Sequence, residues 1–409
     1  MIKAAAKKSD SRMPIAFVLQ MATNGLGVAR GLARNGIEVV GLDYHPNAPG
    51  LYSRYCRPVL CQDPQKHPDG VVEILLKEGK DLQEKGVLYP CSDPFLLLMS
   101  RYRKVLSEYF RFMIAPEEIV EGTVDKRQLH YWAEKTGTPY PRTLYPKDLS
   151  DLEEIKNQLT YPTFIKPCIS HAFHRRFQVK GFVVNNYNEL AEKCRLISPT
   201  GLEVMFQEVV RGPDTNHYGF ATYIGREGRP IGPIAWHKIR QYPKDFGISS
   251  LSEIIHDKGI FSLALKFMEG IGYRGIGSIE IKKDQRDGKY RLLDMNARPW
   301  AMNIQATKAG INFPLIEYLD LTQESVPELA DYKDGIRYHD SLDDIRTYIT
   351  YRESGSLSFG DWVRSWLGAE VHARFAWDDL KPALVGSGYG VEYAKLFLTL
   401  LRSTRAAAG

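Results

Sequence analysis

Four polar side chains close to residue 290 have types and spacing that suit phosphate and metal chemistry. Asp294, Asn296 and Arg298 follow one another at intervals of two residues, and Glu280 precedes them in the same segment. Residues two apart share one face of a β-strand, so a carboxylate, an amide oxygen and a guanidinium would lie side by side. Magnesium takes such oxygen ligands together with substrate phosphates, and arginine neutralises charge on a phosphoryl group in transfer. The set therefore predicts a site for Mg²⁺ and a phosphate.

The segment 275–298 reads as the β-hairpin that must position these side chains. Apolar residues alternate at 279 and 281, Asp287-Gly288 supplies turn chemistry, and a second strand returns from residue 291. Glu280 and Asp294 would then lie opposite each other, about 4.5–5.5 Å apart at Cβ. Like charges at that distance destabilise a sheet unless something compensates them, and a divalent cation would do so. The alternative interpretation is a solvated hairpin whose charges have no function.

The composition of the chain is that of an ordinary globular protein. Its 409 residues, 44% hydrophobic and 25% charged, predict two or three domains. A net charge of +5 suits anionic small molecules, but it is too diffuse to indicate nucleic-acid binding.

The five cysteines, which are scattered and odd in number, favour a reducing compartment, and we expect a cytoplasmic protein. Cys56 and Cys61 lack a second ligand pair, which argues against a zinc site. No apolar run approaches the length that spans a membrane. We expect residues 1–12 to form a disordered tail.

Residues 13–115 alternate strand-like and helical stretches, which indicates a parallel sheet covered by helices. Ligands bind beyond the carboxyl ends of the strands in such sheets, so Asn24, Asp43 and Asp93 are candidate site residues. Gly25-x-Gly27 lacks the third glycine of a dinucleotide-binding motif, and close packing of a helix on a strand explains it about as well. A nicotinamide dehydrogenase built on this region is one alternative, but it would not explain the hairpin.

The pattern changes near residue 116. Residues 117–137 and 251–270 read as helices, 163–166 as a strand, and residues from about 203 onward as mainly antiparallel strands. After about residue 320, helical patterns predominate. No internal repeat is apparent.

The order of several motifs resembles the ATP-grasp superfamily of carboxylate–amine ligases, over about residues 14–320. Lys126, at the start of a helix, looks like the first phosphate-binding lysine of that family, and Lys166, at the end of an apolar strand, looks like the second. The match at the metal and phosphate end consists of Glu280, Asp294, Asn296 and Arg298. The segment that resembles the hinge, where backbone groups contact adenine, is Gln207, Glu208, Val209 and Val210.

Further basic residues are candidates for the same site. Lys238 and Arg240, two residues apart on a predicted strand, would share a face toward the phosphates. An edge strand with solvated charges is the alternative, although residues 238–243 resemble a recurring feature of the D-aspartate-ligase-like branch. Lys180 is a further nucleotide-binding candidate that could equally face solvent. Lys166 would need an anionic partner at a buried strand end.

The resemblance implies a fold of the α/β and α+β classes in several parts. These are an N-terminal parallel α/β domain (13–115), a lid subdomain (116–205), a catalytic subdomain with an antiparallel sheet (206–320) and a C-terminal helical extension (321–409). The chain departs from the family at residues 168–176, where a glycine-rich loop is common, and His174, Arg175 and Arg176 would supply charge there instead. Asp294 stands where glutamate is commoner.

The resemblance also implies an ATP- and Mg²⁺-dependent ligase that joins a carboxylate, activated as an acyl phosphate, to an amine. Lys126, Lys166, Lys180 and the hinge would bind ATP, and Glu280, Asp294 and Asn296 would bind Mg²⁺. Arg298, Arg240 and Lys238 would act in catalysis. The expected partners are small carboxylates and amines, with an amino acid or peptide among them, and the chain could form a homodimer. A carboxylase that uses bicarbonate and an ATP-binding regulatory protein without turnover stay open as alternatives.

Overall fold

The structure is a computed structural model that describes residues 13–148, 152–153, 155–323, 326, 329, 331–353, 355–384, 391, 394–395, 397–398 and 401. The predicted disordered tail, residues 1–12, lies outside these residues. Among the described residues, no helix has both the length and the apolar character that a membrane span requires.

The described residues form strands that belong to three sheets. In chain order they are β1 (Ala16–Leu19), β2 (Val39–Asp43), β3 (Arg57–Leu60), β4 (Gly86–Pro90), β5 (Phe110–Arg111), β6 (Thr143–Leu144), β7 (Thr163–Pro167), β8 (Phe182–Val184), β9 (Val204–Glu208), β10 (His217–Ile224), β11 (Pro230–Tyr242), β12 (Ile248–Ile255), β13 (Gly275–Lys283), β14 (Tyr290–Asn296), β15 (Arg337–His339) and β16 (Val371–His372).

The helices cover the sheets and form the C-terminal part. They are α1 (Thr23–Ala33), α2 (Pro68–Lys80), α3 (Asp93–Arg101), α4 (Arg103–Leu106), α5 (Glu117–Val124), α6 (Lys126–Thr136), α7 (Ser170–Phe177), α8 (Tyr187–Ile197), α9 (Lys258–Gly270), α10 (Asn303–Ala309), α11 (Phe313–Thr322), α12 (Ser341–Glu353), α13 (Phe359–Leu367) and α14 (Lys381–Leu384).

The first sheet is parallel throughout, with strand order β3-β2-β1-β4-β5. It confirms the predicted parallel α/β arrangement of the N-terminal region. The two edge strands were not predicted: β3 is largely exposed and β5 has only two residues, so neither carries a buried apolar run.

The two glycines of the first turn allow close packing. A Cβ atom at Gly25 would lie 2.0 Å from the carbonyl oxygen of Gln20, and one at Gly27 would lie 2.5 Å from Oδ1 of Asn303 on α10. Packing of α1 against β1 and α10 therefore accounts for both glycines.

The second sheet is small and antiparallel, with strand order β6-β9-β7-β8. Helices α7 and α8 share its apolar core, in which Ile165, Phe173, Leu190 and Phe206 are buried. Residues 168–176 are therefore not an open loop, because Ser170–Phe177 is helix α7. Helices α5 and α6 contribute to a different core, shared by the first and third sheets.

The third sheet has the order β14-β13-β10-β11-β12-β15-β16 and is antiparallel except for the pair β15 and β16. The predicted helix over residues 251–270 is wrong in its first part, because Ile248–Ile255 is strand β12. Residues 248–255 form a strand because they pair with β11 and β15. Such long-range hydrogen bonds override a local helical pattern. Asp257 then caps α9 by accepting a hydrogen bond from the backbone of Ile260 at 2.9 Å.

The C-terminal part of the chain is not purely helical. Strands β15 and β16 extend the third sheet at the edge opposite the hairpin β13–β14, and α12 packs against β11 and β12. This part therefore supports the sheet that carries the candidate site.

Candidate active site

A cavity of about 360 Å³ lies between the small sheet and the hairpin β13–β14. It is lined from β7, β9, β11, β13 and β14 and by the start of α3 and α6. The residues that the resemblance assigns to nucleotide, metal or catalysis line this cavity, with the exception of Arg240: Lys126, Lys166, Lys180, Gln207, Glu208, Val209, Val210, Lys238, Glu280, Asp294, Asn296 and Arg298.

The hairpin has the register that its sequence predicts. Glu280 lies opposite Asp294, and Ser278 lies opposite Asn296. Residues Asp284 to Lys289 form the connecting turn, with Gly288 in the left-handed region at φ 69°. Two carboxylates and one amide oxygen therefore converge on one side of the hairpin.

Lysine side chains compensate the two facing carboxylates. Lys126 Nζ lies 2.6 Å from both carboxylate oxygens of Asp294. Lys238 Nζ lies 3.4 Å from Oε2 of Glu280. The like-charge repulsion expected from the sequence is thus offset within the protein, and these ion pairs must rearrange when a phosphate or a cation binds.

Local structure explains how Lys126 reaches the cavity. It is the first residue of α6, and Asp125 caps this helix by accepting a hydrogen bond from the backbone of Arg127 at 2.9 Å. The backbone nitrogen of Lys126 donates to the carbonyl of Cys168 at 3.2 Å, which ties α6 to the end of β7. The side chain of Lys126 is buried and points to β14.

Lys166 lies on β7, close to Asp294 and Lys126. Its Nζ donates to the carbonyl oxygen of Leu293 at 3.0 Å. Burial, followed by the positive charge of Lys126, lowers the pKa of Lys166 to about 8, although Asp294 and Glu280 act against this shift. Because nearby carboxylates compensate the positive charge of Lys166 only weakly, binding of an anion beside this lysine is favoured.

The carboxylates stay ionised in spite of their surroundings. Burial raises the pKa of Asp294, but Lys126 and Lys166 outweigh burial and bring it to about 2. For Glu280, burial is likewise outweighed by Lys238 and Lys180, and the pKa is lowered. Both groups are therefore available as anionic oxygen ligands near neutral pH.

The predicted hinge lies at the end of β9, and its four residues line the cavity. Gln207 is buried, and its Nε2 donates to Oγ1 of Thr143 at 3.0 Å. Glu208 has its carboxylate 3.1 Å from Nη2 of Arg286, so this side chain already has a partner.

An aromatic pair beside the hinge was not predicted from the sequence. Phe164 and Phe246 stack with their ring centroids 4.6 Å apart, and both line the cavity. Phe164 lies on β7, whereas Phe246 lies on the loop between β11 and β12. The position of Phe246 depends on that loop, and no local pattern indicated it.

His217 and Lys282 also line the cavity and were not predicted as site residues. His217 is buried, and no described residue makes a hydrogen bond to its Nε2. Burial, together with Lys238, Lys282 and Lys180, lowers the pKa of His217 well below its usual range, so the ring is neutral. Lys282 lies two residues after Glu280 and thus on the same strand face. The period-two pattern could therefore have identified Lys282 as a site residue.

Arg298 forms an ion pair with Asp93, and both residues line the cavity. Its Nε lies 2.7 Å from Oδ1 of Asp93, the first residue of α3. Asp93 follows β4 and so stands at the carboxyl end of the parallel sheet, as predicted.

The other two candidates from that sheet have structural contacts. Asp43 is buried and accepts backbone hydrogen bonds from Met21 at 2.6 Å and His45 at 2.8 Å. Asn24 donates from its side chain to the carbonyl of Cys91. Neither residue lines the cavity.

Arg240 lies outside the cavity, and the prediction that it shares a face with Lys238 is wrong. The pairing of β11 with β12 shifts between these residues: Lys238 opposes Ser252, whereas Arg240 opposes Leu251. The extra residue forms a β-bulge, which breaks the alternation of faces. Arg240 instead makes two hydrogen bonds of 2.8 Å to the buried carboxylate of Asp344 on α12.

The charged residues of α7 also stay away from the cavity. His174, Arg175 and Arg176 are exposed, and none of them lines it. Arg175 hydrogen-bonds Gln65 of the N-terminal region. The expectation that these residues supply charge to the site is therefore not met in this structure.

The oxygen donors on the hairpin fit a magnesium ion that also binds phosphate. Within the described ranges, no group of three or more His, Cys, Asp and Glu side chains is placed to hold a metal. Glu280, Asp294 and Asn296 offer two carboxylates and an amide oxygen, and Mg²⁺ in phosphate-transfer sites takes one or two carboxylates and completes its shell with phosphates and water.

No protein-family model matches the chain. A D-aspartate ligase from Enterococcus faecium (strain Aus0004) is 25% identical over 281 residues, which cover 65% of this chain and 66% of that ligase. The solved L-amino acid ligase from Bacillus licheniformis has a TM-score of 0.60 at 15% identity and covers 78% of both chains. The N5-carboxyaminoimidazole synthetase from Staphylococcus aureus, complexed with ADP, has a TM-score of 0.59 at 15% identity and covers 78% of this chain and 80% of the synthetase.

The three sheets and these relatives give the chain the ATP-grasp fold, and the predicted fold class is confirmed. Its sequence is similar to that of one carboxylate–amine ligase, the D-aspartate ligase, and its fold is that of the ATP-grasp proteins. The matched region spans just under two thirds of the D-aspartate ligase.

Proposed function

We propose that this protein is an ATP- and Mg²⁺-dependent ligase that forms an amide bond between a carboxylate and an amine, with ADP and phosphate as the other products. The observation that carries the proposal is the convergence of Lys126, Lys166, Glu280, Asp294 and Arg298 on one cavity. Phosphoryl transfer asks a protein mainly to position groups and to neutralise charge, and this set does both.

ATP would lie between the small sheet and the hairpin. Lys126 and Lys166 would hold the phosphates, and Lys180 and Lys238, which also line the cavity, would add positive charge. The backbone of residues 207–210 would contact adenine, and the stacked rings of Phe164 and Phe246 offer a flat apolar surface for a base. Similarity to a synthetase that is complexed with ADP supports this placement.

Mg²⁺ would be held by Glu280, Asp294 and Asn296. When bound, the ion neutralises phosphate charge that the lysines leave uncompensated. Lys126 and Lys238, which pair with these carboxylates without ligand, would then turn to the phosphates.

The reaction has two steps. A carboxylate oxygen of the first substrate attacks the γ-phosphorus, and ADP leaves with the electrons of the broken P–O bond. The amine then attacks the carbonyl carbon of the acyl phosphate, phosphate leaves with the electrons of the C–O bond, and the nitrogen releases its proton to phosphate or water. Arg298 would stabilise the charge that develops on the oxygens in both steps.

A covalent intermediate on the enzyme is not needed. Among the cysteines near the cavity, burial raises the pKa of Cys168 to about 11 and that of Cys91 further, so both thiols stay protonated at neutral pH. The acyl phosphate can form directly on the substrate.

We further propose that one substrate is an amino acid and that the reaction takes place in the cytoplasm. Similarity to a D-aspartate ligase and to an L-amino acid ligase supports the first point. The five free cysteines, in a chain that would consume ATP, support the second. A second candidate function is a carboxylase acting on bicarbonate, which the similarity to the N5-carboxyaminoimidazole synthetase favours.

The test is release of ADP and phosphate by the purified full chain with ATP and Mg²⁺, across crossed pools of amino acids and amines, with mass spectrometry of the products. The ligase predicts release that needs both a carboxylate and an amine, and a product lighter than their sum by one water. Release that depends on bicarbonate would support the carboxylase. ATP binding without release in every pool would favour the regulatory alternative.

A further inference from the structure

Asp214 is a buried carboxylate that connects helix α12 to the loop after β11. Its Oδ1 accepts hydrogen bonds from Nε2 of Gln241 at 2.5 Å and from the backbone nitrogen of Asp245 at 3.2 Å. Its Oδ2 accepts a hydrogen bond from the hydroxyl of Tyr351, which lies on α12. Gln241 and Asp245 line the cavity, whereas Asp214 does not. The carboxylate therefore joins a residue of the C-terminal part to two residues of the cavity wall.

The loop of residues 243–247 is held by contacts from outside the loop. Asp245 has φ 70°, a left-handed conformation that is uncommon for residues other than glycine. Nζ of Lys244 lies 5.1 Å from the ring centroid of Tyr351, which is a second contact with the same side chain. The loop presents Phe246 to the cavity. The ring and the hydroxyl of Tyr351 therefore act on one short loop in the cavity wall.

Gln241 carries the connection further, to a lysine of the cavity. Gln241 is fully buried, and its Oε1 accepts a hydrogen bond from Nζ of Lys238 at 3.2 Å. The same Nζ donates to the carbonyl oxygen of Gly247 at 3.0 Å and lies 3.4 Å from Oε2 of Glu280. Gln241 and Gly247 are neutral partners, so they can hold Lys238 toward the phosphates after Glu280 has turned to the metal.

Helix α12 has other contacts that dock it on the sheet. Arg240 makes its two hydrogen bonds of 2.8 Å to Asp344, about two turns before Tyr351. Oγ1 of Thr347 donates to the backbone carbonyl of Gln241 at 3.3 Å. Removal of the Tyr351 hydroxyl should therefore leave α12 in place, and its effect on the cavity can be separated from folding.

We propose that Tyr351 is a positioning residue that holds the loop 243–247 in the conformation that binds ATP. Through Asp214 and Gln241, it also fixes the ammonium group of Lys238. This inference rests on the proposed binding of ATP in the cavity, and it gives the C-terminal part a role in nucleotide affinity. Tyr351 does not line the cavity, so it acts through these neighbours and not by contact with the nucleotide. A wall that is ordered before the ligand arrives loses less entropy on binding.

The test compares Tyr351→Phe with the wild-type protein in ATP binding and in turnover. Phenylalanine keeps the ring beside Lys244 but loses the hydroxyl that donates to Asp214. Titration calorimetry with ATP and Mg²⁺, without the other substrates, gives the Kd, and steady-state ADP release gives KM and kcat separately. Tyr348→Phe is the matched control, because it removes a hydroxyl about one turn earlier on α12, from a ring that stacks on Trp362.

We expect the Kd and the KM for ATP to rise about threefold to tenfold in Tyr351→Phe, because a hydrogen bond to a charged group that orders the loop is lost. The kcat at saturating ATP should change by less than about twofold, since bound nucleotide itself holds the loop. Damage to folding alone would lower kcat and leave KM and Kd unchanged, because fewer molecules would be active. Tyr348→Phe should keep the wild-type Kd. The urea midpoint of Tyr351→Phe should fall less than that of Arg240→Met.

A double variant tests the route through the loop. Phe246→Ala removes the ring that the loop presents to the cavity, so Tyr351→Phe should raise the Kd for ATP less in this background than in the wild type. Equal effects in both backgrounds would contradict a route through the loop.

Two results would overturn the inference as a whole. One is a Kd for ATP that is unchanged in Tyr351→Phe, and the other is a fall in kcat with an unchanged KM. A wild-type protein that does not bind ATP would instead contradict the proposed function itself, and the role of Tyr351 would fall with it.

Discussion

Lys126 donates from Nζ to both carboxylate oxygens of Asp294 at 2.6 Å, although the two residues are 168 positions apart in the chain. The contact joins the start of α6 to β14, and both residues line the cavity. A side chain expected to bind phosphate thus holds a side chain expected to bind metal until ligands arrive. Lys126 and Asp294 therefore neutralise each other when ATP is absent. When ATP and Mg²⁺ bind, Lys126 must exchange Asp294 for phosphate, and Asp294 must exchange Lys126 for the metal.

Removing this lysine should weaken ATP binding and slow turnover. In Lys126→Met, the phosphates lose a cation, and Asp294 loses the partner that lowers its pKa. We expect turnover to fall at least about a hundredfold, as when one preorganised electrostatic donor is lost. Steady-state ADP release and ATP titration would measure both effects. Lys66→Met, on an exposed lysine, is the control, and a similar loss in that variant would contradict the assignment.

Glu280→Gln should fold but turn over at least about a hundredfold more slowly, because the hairpin loses one of its two anionic oxygen ligands. The dependence of ADP release on Mg²⁺ concentration should shift to higher concentrations. Glu227→Gln, on an exposed carboxylate, is the matched control. Full activity in a well-folded Glu280→Gln protein would exclude a role for this carboxylate in the reaction.

The low pKa of Lys166 predicts a pH dependence of ATP binding. Without ligand, Lys166 is charged below about pH 8 and loses its proton as the pH rises through that value. Bound phosphate favours the charged form, so binding takes up a proton above pH 8, and the Kd for ATP should rise by up to about tenfold per pH unit there. Asp294, with a pKa of about 2, and His130, with a pKa of about 3, do not titrate in this range.

Titration calorimetry of ATP between pH 7 and pH 10 would measure this dependence. Lys166→Arg keeps its charge over the whole range, so its Kd should rise less steeply with pH than that of the wild type. The slope that remains would come from Lys180, because burial lowers the pKa of that lysine too. A wild-type Kd that is flat above pH 8 would mean that Lys166 does not contact the phosphates.

Arg240 should matter for stability and not for chemistry. Its two hydrogen bonds to Asp344 are buried, and Asp344 also accepts hydrogen bonds from Ser250 and from Trp362. Arg240→Met leaves a buried carboxylate without its cation, which should lower the free energy of unfolding by about 3–5 kcal/mol. Urea unfolding would measure the loss, and Asp344→Asn in the same chain should recover part of it. A large drop in turnover with unchanged stability would restore a catalytic role for Arg240.

Much of the candidate site could be predicted because its information is local. Asp287-Gly288 marks the turn of the hairpin, and the period-two pattern places Asp294 and Asn296 on one face of β14 and Glu280 on β13 nearby. A shift of one residue in the pairing, between Glu280 and Ile281, then sets Glu280 opposite Asp294. The apolar strand residues that precede Lys166 predict a lysine at a buried strand end, where it needs an anionic partner. These signals each lie within a few residues of the side chain concerned.

The parts that sequence reasoning missed depend on distant contacts. The β-bulge that separates Lys238 from Arg240 arises from pairing with β12, which was itself mistaken for a helix. The contact of Asp93 with Arg298 spans 205 positions, and the position of Phe246 depends on the loop after β11. One-dimensional periodicity carries no information about such contacts.

The formation of an acyl phosphate is the central claim, and isotope transfer tests it most directly. A pool of amino acids with ¹⁸O-labelled carboxylates would be supplied with unlabelled ATP, Mg²⁺ and amines, and the released phosphate would be analysed by mass spectrometry. The proposed mechanism predicts one ¹⁸O atom in each phosphate, because the carboxylate oxygen that attacks the γ-phosphorus leaves with it. Phosphate released together with amide but without ¹⁸O would contradict the mechanism.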